Sequence, residues 1–167
     1  MALFRETADV SVRPAVAGDE AAVTDVQVAA WQATGVLGEG VIEALDVPAM
    51  RERWASAITS PPGPGFGVLV ALDGPKVVGF AAVSPGQVLS LEVLPGSQRG
   101  GHGSRLLAAA VDRLRSDGAE TVTTWALVDD TARAQFLAAS GLGEDGRSRT
   151  LATGVREVVE HRWSAQI

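Results

Sequence analysis

The sequence predicts a mixed α/β fold in a chain of 167 residues. Three observations predict it. Apolar runs separated by turn signals, as in an antiparallel meander, occupy the middle of the chain. The last of these runs leads through a proline and a glycine-rich turn into an amphipathic helix. A further β-rich run follows that helix, and such a crossover favours a parallel strand pair. The length favours a single domain over 1–167, with 1–8 as a flexible tail.

Five elements are predicted before the central strand: a strand at 10–13, a helix at 21–34, a helix from Asp46 to about 58, and strands at 67–72 and 76–83. Asp19 and Asp46 stand where N-caps are expected, and Pro48 falls in the first turn of the second helix, where a missing N–H does no harm. Three glycines at 35–40 separate these two helices. The two strands, joined by an Asp-Gly turn, and the next strand should form the meander.

The central strand is predicted at 88–93, and the helix after it ends at Asp117-Gly118. In this helix apolar residues recur every four positions, at Leu106, Ala110 and Leu114, and form one apolar face. A strand at 121–127 follows, then a short helix over 131–140 with Asp130 as its N-cap. The remainder of the chain suggests a closing hairpin.

The turn between the central strand and its helix contains Gly100, Gly101 and Gly103. Glycine lets backbone amides approach a bulky ligand because no Cβ stands in the way. The first turn of a helix also has unpaired N–H groups and a partial positive charge, which suit a phosphate or diphosphate. The other reading is a tight turn that binds nothing. A dinucleotide fingerprint would need glycine at Leu106, and a P-loop would need a nearby lysine, which this turn lacks.

Composition excludes several classes of function. The chain has no cysteine, so disulfide and thiolate chemistry are excluded, and two histidines without ligand spacing predict no metal site. A net charge of −6 argues against a nucleic-acid partner and favours a cationic substrate such as an amine. No run is long enough to span a membrane, and the amino terminus lacks an export signal. We therefore expect a soluble, cytoplasmic protein.

The strand, the proline and the turn Gln98-Arg99-Gly100-Gly101-His102-Gly103 together resemble the Q/R-x-x-G-x-G/A signature of the GNAT N-acetyltransferase family. The resemblance covers roughly 10–163. It implies a central mixed, mostly antiparallel sheet of about six to seven strands, flanked by about four helices, with splayed central strands. The open edge between those strands would pair with the pantetheine arm of acetyl-coenzyme A, the acyl donor. No metal is implied.

The resemblance also implies the residues that bind the donor. Backbone groups of Leu91 and Val93 would face the acetyl carbonyl and the pantetheine. The diphosphate would lie at the turn, against Gln98, Arg99, Gly100, Gly101, His102, Gly103 and Ser104. Arg99 is either a phosphate ligand or a surface residue. For His102 a solvent-exposed side chain is the main expectation, and a phosphate contact is the alternative.

The chain departs from the family pattern N-x-x-A-x-x-F-Y, which here reads Asp130 through Phe136-Leu137. Tyrosine is absent from the whole sequence, so the usual hydroxyl that protonates the leaving thiolate is missing. Asp130 is expected mainly as a helix cap, and a role toward the coenzyme can coexist with that. The missing hydroxyl need not abolish activity, because placing two reactants contributes more than one acid does.

A second departure concerns the base. Several family members have glutamate where this chain has Gln87, which cannot usefully accept a proton. The nearest carboxylate is Glu92, which would either act as the base or neutralise a neighbouring arginine. Side chains alternate along a strand, so Glu92 and Val93 should face opposite sides.

Two tryptophans, Trp31 and Trp54, are expected mainly in the core. The resemblance gives Trp31 a second reading, as a residue lining the acceptor site together with Gln87 and Trp125. It also places Glu160–Trp163 near the acceptor site or a homodimer interface, with Trp163 expected to pack in the core.

The leading hypothesis is therefore an acetyl-coenzyme A dependent N-acetyltransferase that acts on a primary amine of a small molecule or peptide, by direct attack in a ternary complex. The alternative is an acyl-coenzyme A binding module of the same fold without turnover, acting as a sensor or partner. A third reading is an acyl donor other than acetyl, selected by the pocket near Trp125 and Leu127.

Overall fold

The computed structural model describes residues 10–98 and 100–167. The predicted tail at 1–8 and the side chain of Arg99 lie outside them. The elements in chain order are β1 (Val10–Pro14), α1 (Glu20–Thr34), α2 (Glu39–Glu43), α3 (Val47–Thr59), β2 (Gly67–Asp73), β3 (Lys76–Ser84), β4 (Gln87–Val93), α4 (His102–Ser116), β5 (Thr121–Leu127), α5 (Thr131–Ala139), β6 (Gly143–Ala152) and β7 (Glu157–Gln166). A 3₁₀ turn at Pro95–Ser97 joins β4 to the glycine-rich turn.

The strands of the described residues form one seven-stranded sheet in the order β1-β2-β3-β4-β5-β7-β6. Strands β1 to β4 pair antiparallel in sequence, and β4 and β5 are parallel. Strand β7 pairs antiparallel with both β5 and β6. The predicted meander, the parallel crossover and the closing hairpin are therefore confirmed.

The two central strands diverge soon after they meet. Their parallel register consists of one pair, Gln87 with Thr123. Near this point the amide of Thr123 donates to the Gly86 carbonyl at 3.0 Å, and the Thr124 hydroxyl donates to the Val88 carbonyl at 2.9 Å. Toward Val93 the edge of β4 is no longer covered by β5, as the sequence led us to expect.

Hydrophobic clusters lie on both faces of the sheet. On one face Leu106, Ala110 and Leu114 of α4 pack in a core that includes Leu69 and Leu91. On the other face Val23 and Val26 of α1 pack against Val70 and Phe80. Side chains alternate along β2, so Leu69 and Val70 point to opposite faces. The sheet is thus covered by α4 on one side and by α1 on the other.

Two tryptophan predictions are confirmed at the level of packing. The Trp54 ring meets Phe80 edge to face with centroids 4.9 Å apart, and its indole N–H donates to the Gln27 side chain at 2.9 Å. Trp163 is buried in the same core cluster as the apolar residues of α4. Both residues stabilise the fold through burial of large aromatic surfaces.

Three local details bear on the predicted helices. The side chain of Asp46 accepts from the Ala49 amide at 3.1 Å, as predicted for an N-cap. The prediction for Asp19 is wrong in its chemistry: Asp19 occupies the N-cap position, but its carboxylate makes no capping bond. It binds the Arg13 guanidinium at 2.7 Å and the Val16 amide at 2.8 Å instead, because a charged partner competes for the same oxygens. The short α2 was not predicted, since the glycines around it indicated a loop.

Candidate functional site

A cavity of about 380 Å³ opens where β4 and the glycine-rich turn meet α1, α4 and α5. Nine of the predicted site residues line it: Leu91, Glu92, Val93, Gln98, Gly101, His102, Gly103, Ser104 and Asp130. Six further residues complete the lining: Ala30, Thr34, Ser97, Ala132, Arg133 and Phe136. The structure therefore brings the end of the central strand and the start of α4 to one concave surface.

The turn enters α4 through a left-handed residue. Gly101 has φ +81° and ψ 5°, a conformation that other residues rarely adopt. No side chain among the described residues caps the helix, and the amide of Arg105 is the first to bond back, to the Gly101 carbonyl at 3.0 Å. Amides at the start of an α-helix lack intrahelical partners and carry partial positive charge. This end of the cavity is suited to an anion.

Gly103 keeps this end of the cavity open. A Cβ atom placed on it would lie 3.6 Å from Cε2 of Phe136 and 3.8 Å from Cγ2 of Val93. Both neighbours line the cavity, so a methyl group here would occupy space between them without clashing. The glycine therefore maintains room for a ligand and is not required by a tight protein contact.

His102 is buried, and the expectation of a solvent-exposed side chain is wrong. Only 5% of the residue is exposed, and its Nδ1 has no hydrogen-bond partner among the described residues. His102 stands four residues before Leu106, and that spacing extends the buried stripe of α4 by one turn. An unpaired buried polar atom is costly, and no hydrogen bond from the described residues offsets that cost here.

The carbonyl of Leu91 has no partner on β5, because the register of β4 with β5 consists of the Gln87–Thr123 pair. It accepts a hydrogen bond from Nη2 of Arg133 at 2.5 Å, from a side chain of α5 and not from a neighbouring strand. The same nitrogen lies 3.0 Å from Oε2 of Glu92. Arg133 thus binds β4 where β5 has diverged, and a ligand that pairs with the Leu91 carbonyl would have to displace this hydrogen bond.

Glu92 points to the α1 face of the sheet. It is in register with Phe80, whose side chain packs under α1, while Val93 contacts the α4 side. Burial raises the pKa of Glu92, and the charge of Asp130 raises it further. Arg133 and the indole of Trp31 act in the opposite direction. Glu92 therefore lines the cavity and pairs with an arginine, as one of the two predictions had it. Its role as the base stays a prediction.

Helix α5 positions the polar side of the cavity. The carboxylate of Asp130 accepts from the Arg133 amide at 3.0 Å, which confirms its predicted role as an N-cap. Leu137, at the position of the missing tyrosine, is 2% exposed and belongs to the core. It does not line the cavity. A hydroxyl at that position would have to displace core contacts.

Four predicted site residues lie elsewhere. Gly100 is beside the cavity and its carbonyl accepts from Arg105 at 2.9 Å. Trp31 contacts Glu92 but is not a lining residue, and Gln87 lies at the opposite end of β4. The ring of Trp125 is covered by Arg149 at 4.3 Å. The role of Trp31, Gln87 and Trp125 toward an acceptor stays a prediction.

Sequence reasoning missed Arg133, although a signal for it was present. It occupies the alanine position of the pattern N-x-x-A-x-x-F-Y, three residues after the capping Asp130. Arginine replaces alanine at this position, one helical turn after Asp130. This substitution places a positively charged side chain where the family pattern has a small apolar one. Thr34 and Ala30 of α1 carried no comparable signal.

The described residues include no group of three or more His, Cys, Asp or Glu side chains placed to hold a metal ion. Within the same part of the chain, no helix combines the length and the apolar character needed to cross a membrane.

The sequence matches a family model described as the acetyltransferase (GNAT) family over residues 30–143, which is more than half of the chain. No curated protein matches the sequence. The matched range contains the whole cavity lining, from Ala30 to Phe136.

Solved structures share the fold. The chain is similar to the PaiA N-acetyltransferase of Thermoplasma acidophilum in complex with coenzyme A, with a TM-score of 0.79, 16% identity, and coverage of 95% of this chain and 99% of that one. It is similar to a ribosomal-protein-alanine N-acetyltransferase from Brucella melitensis, with a TM-score of 0.73, 20% identity, and coverage of 94% and 99%. It is also similar to yncA from Salmonella typhimurium with its cofactor acetyl-CoA, with a TM-score of 0.68, 18% identity, and coverage of 95% and 94%.

Proposed function

The chain belongs to the GNAT family of acetyltransferases, and from this premise we propose that it transfers an acetyl group from acetyl-coenzyme A to a primary amine. The observation that carries the proposal is the cavity, which joins the uncapped start of α4 to the open edge of β4. One end suits the diphosphate of the donor, and the other suits its amide-containing pantetheine arm.

Contacts of the described residues fit such a donor. Amides at the start of α4 would hold the diphosphate, with Gly101 and Gly103 allowing close approach. The pantetheine amides would pair with β4 near Leu91 and Val93, where β5 has diverged. Coenzyme A needs an anion site for its diphosphate and, next to it, a strand edge that can pair with the amides of its pantetheine arm. The cavity offers both.

The reaction proposed is direct attack. The amine nitrogen forms a bond to the thioester carbonyl carbon, the carbon–sulfur bond breaks, and its electron pair stays on sulfur. The amine loses one proton, which Glu92 accepts directly or through water. Holding both reactants in place supplies effective molarities on the order of 10⁵–10⁸ M, whereas a positioned base adds about 10²–10⁴-fold. The cavity therefore contributes more than any single acid or base.

The acceptor class follows from charge and from the cost of proton loss. Deprotonating an alkyl amine at pH 7 costs roughly 4.6 kcal/mol, whereas an α-amino group costs about 1 kcal/mol. The acidic chain, with net charge −6, attracts cations in general. We propose a small-molecule or peptide amine as acceptor, a cytoplasmic location, and a homodimer as the assembly to test.

A second candidate function is an acyl-coenzyme A binding module without turnover. Two observations favour it: Glu92 is engaged by Arg133, and Leu137 is buried away from the cavity. The same cavity would bind the coenzyme in this case. The two functions differ in whether a thiol is released.

A thiol-release assay with acetyl-coenzyme A and a panel of primary amines tests the proposal. We expect release that depends on one class of amine and produces the N-acetyl product by mass spectrometry. Folded protein that binds coenzyme A but releases no thiol with any amine would favour the binding module. Identification of copurified thioesters by mass spectrometry distinguishes acetyl from longer acyl donors.

A further inference from the structure

Arg133 is the one arginine or lysine among the described residues that line the cavity, and 22% of its side chain is exposed. Both of its side-chain hydrogen bonds to the described residues come from Nη2, to the Leu91 carbonyl and to Glu92. Nε and Nη1 make no hydrogen bond to those residues. A guanidinium carries five donors in a planar fork, so most of this one is available to a ligand.

The position of Arg133 places its charge beside the reacting end of the donor. The Leu91 carbonyl lies on the open edge of β4, where the proposed function puts the pantetheine and its thioester. A guanidinium within hydrogen-bond distance of that edge is close to the sulfur that leaves. A thiolate next to a positive charge is stabilised, and its pKa falls.

We propose that Arg133 is a counter-ion shared in turn by Glu92 and by the thiolate of the departing coenzyme A. Before the reaction the carboxylate of Glu92 balances the guanidinium across 3.0 Å. When the amine proton reaches Glu92, the carboxylate becomes neutral. Electrons of the broken carbon–sulfur bond make sulfur negative in the same step, and Arg133 keeps one anionic partner throughout.

This inference rests on the proposed function, and it explains how the site manages without a tyrosine. With Leu137 in the core, the described lining residues offer no phenol to protonate the sulfur. Charge balance replaces proton donation, because the total charge of Glu92, the Arg133 guanidinium and the sulfur stays constant. Asp130 of α5 is the further charged group that acts on Glu92, and the indole of Trp31 faces Glu92 from α1. His102 of α4 lines the same cavity. From α1 the cavity receives only Ala30 and Thr34.

The test is a titration of the coenzyme A thiol, bound to the protein, by its thiolate absorbance. In Arg133→Gln we expect the thiol pKa to be higher than in the wild type by about one unit or more. In Glu92→Gln we expect it to be lower than in the wild type, because the competing anion is gone. Arg115→Gln is the matched control, since Arg115 lies on α4 with 55% of its side chain exposed.

Three outcomes are distinguishable. Arg133→Gln and Arg133→Lys are first compared with the wild type by circular dichroism and by calorimetry with coenzyme A. If coenzyme A binds all variants and the thiol pKa is the same in Arg133→Gln and the wild type, the inference is overturned while the proposed function stands. If coenzyme A does not bind the wild type, both fall. Recovery of the wild-type thiol pKa in Arg133→Lys, or in Arg133→Gln with added guanidinium ion, supports the counter-ion and not a merely structural role.

Discussion

A Cβ atom added to Gly103 would lie 3.6 Å from Cε2 of Phe136, at ordinary van der Waals distance. The protein could therefore accept a methyl group at this position, while the cavity between Phe136 and Val93 would lose that space. Packing at position 103 tolerates a Cβ atom, whereas ligand binding requires that this space stay empty. This separation allows the ligand role of the turn to be tested without unfolding the protein.

Gly103→Ala should keep or slightly raise the stability of the fold and weaken the binding of coenzyme A by about tenfold or more. Alanine is favoured over glycine in a helix by roughly 0.5–1 kcal/mol, whereas the methyl group enters the ligand space. Thermal denaturation and calorimetry measure the two effects. Gly143→Ala is the control, because a Cβ there meets nothing within 4 Å. Unchanged affinity in Gly103→Ala would contradict the placement of the diphosphate.

Glu92→Gln should lower the rate of acetyl transfer by about 10²-fold or more and leave the affinity for coenzyme A unchanged. Burial raises the pKa of Glu92. The base must be ionised, so the wild-type rate should fall as the pH drops through that raised pKa, and this limb should vanish in the variant. Rates at saturating acetyl-coenzyme A across pH measure it. The surface variant Glu120→Gln should retain the wild-type profile; equal rates in Glu92→Gln and the wild type would exclude Glu92 as the base.

Asp130→Asn and Asp130→Ala separate the two roles of Asp130. Asparagine preserves the N-cap to Arg133, whereas alanine removes it at a cost of about 0.5–2 kcal/mol. If Asp130 only caps α5, Asp130→Asn should bind coenzyme A as the wild type does. The charge of Asp130 raises the pKa of Glu92, so the acid limb of the rate should move to lower pH in Asp130→Asn. A large loss of coenzyme affinity in Asp130→Asn would make this carboxylate a ligand.

Asp19→Asn should lower the free energy of unfolding by about 1–2 kcal/mol at pH 7. The hydrogen bond from Arg13 lowers the pKa of Asp19 in the folded protein. A lowered pKa contributes stability that is fully present above the unfolded value and is lost as pH falls through the folded one. The difference between variant and wild type should therefore shrink below about pH 4. Urea unfolding at several pH values measures it, and the exposed Asp112→Asn is the control; a pH-independent difference would contradict the ion pair.

Local chemistry made most of the fold predictable. Asp46 and Asp130 cap helices as their sequence context indicates, because each side chain reaches the amide three residues on. Asp19 has the same context but a different partner, since Arg13 approaches it from β1. That approach depends on how β1 and α1 pack. The spacing of residues near one helix end does not reveal that a distant arginine will bind the carboxylate in place of the helix amides.

The part of the site formed by backbone groups was predictable from the sequence. The part formed by the side chains of His102 and Arg133 was less predictable. Gly101 and Gly103 were identified because a turn that binds an anion needs residues without Cβ atoms. The burial of His102 could have been read from its spacing to Leu106 along the helix stripe. Arg133 reaches Leu91 only because β4 and β5 diverge. The size of that gap is a property of the assembled sheet.

We propose that the amides at the start of α4 bind the diphosphate of coenzyme A. The test is a calorimetric titration of the wild-type protein and of Gly103→Ala with coenzyme A, and in parallel with pantetheine, which lacks the diphosphate and the 3′-phosphoadenosine attached to it. We predict saturable uptake of coenzyme A at one site and at least about tenfold weaker binding of pantetheine. Equal affinity for the two compounds, or no heat with coenzyme A, would contradict the account.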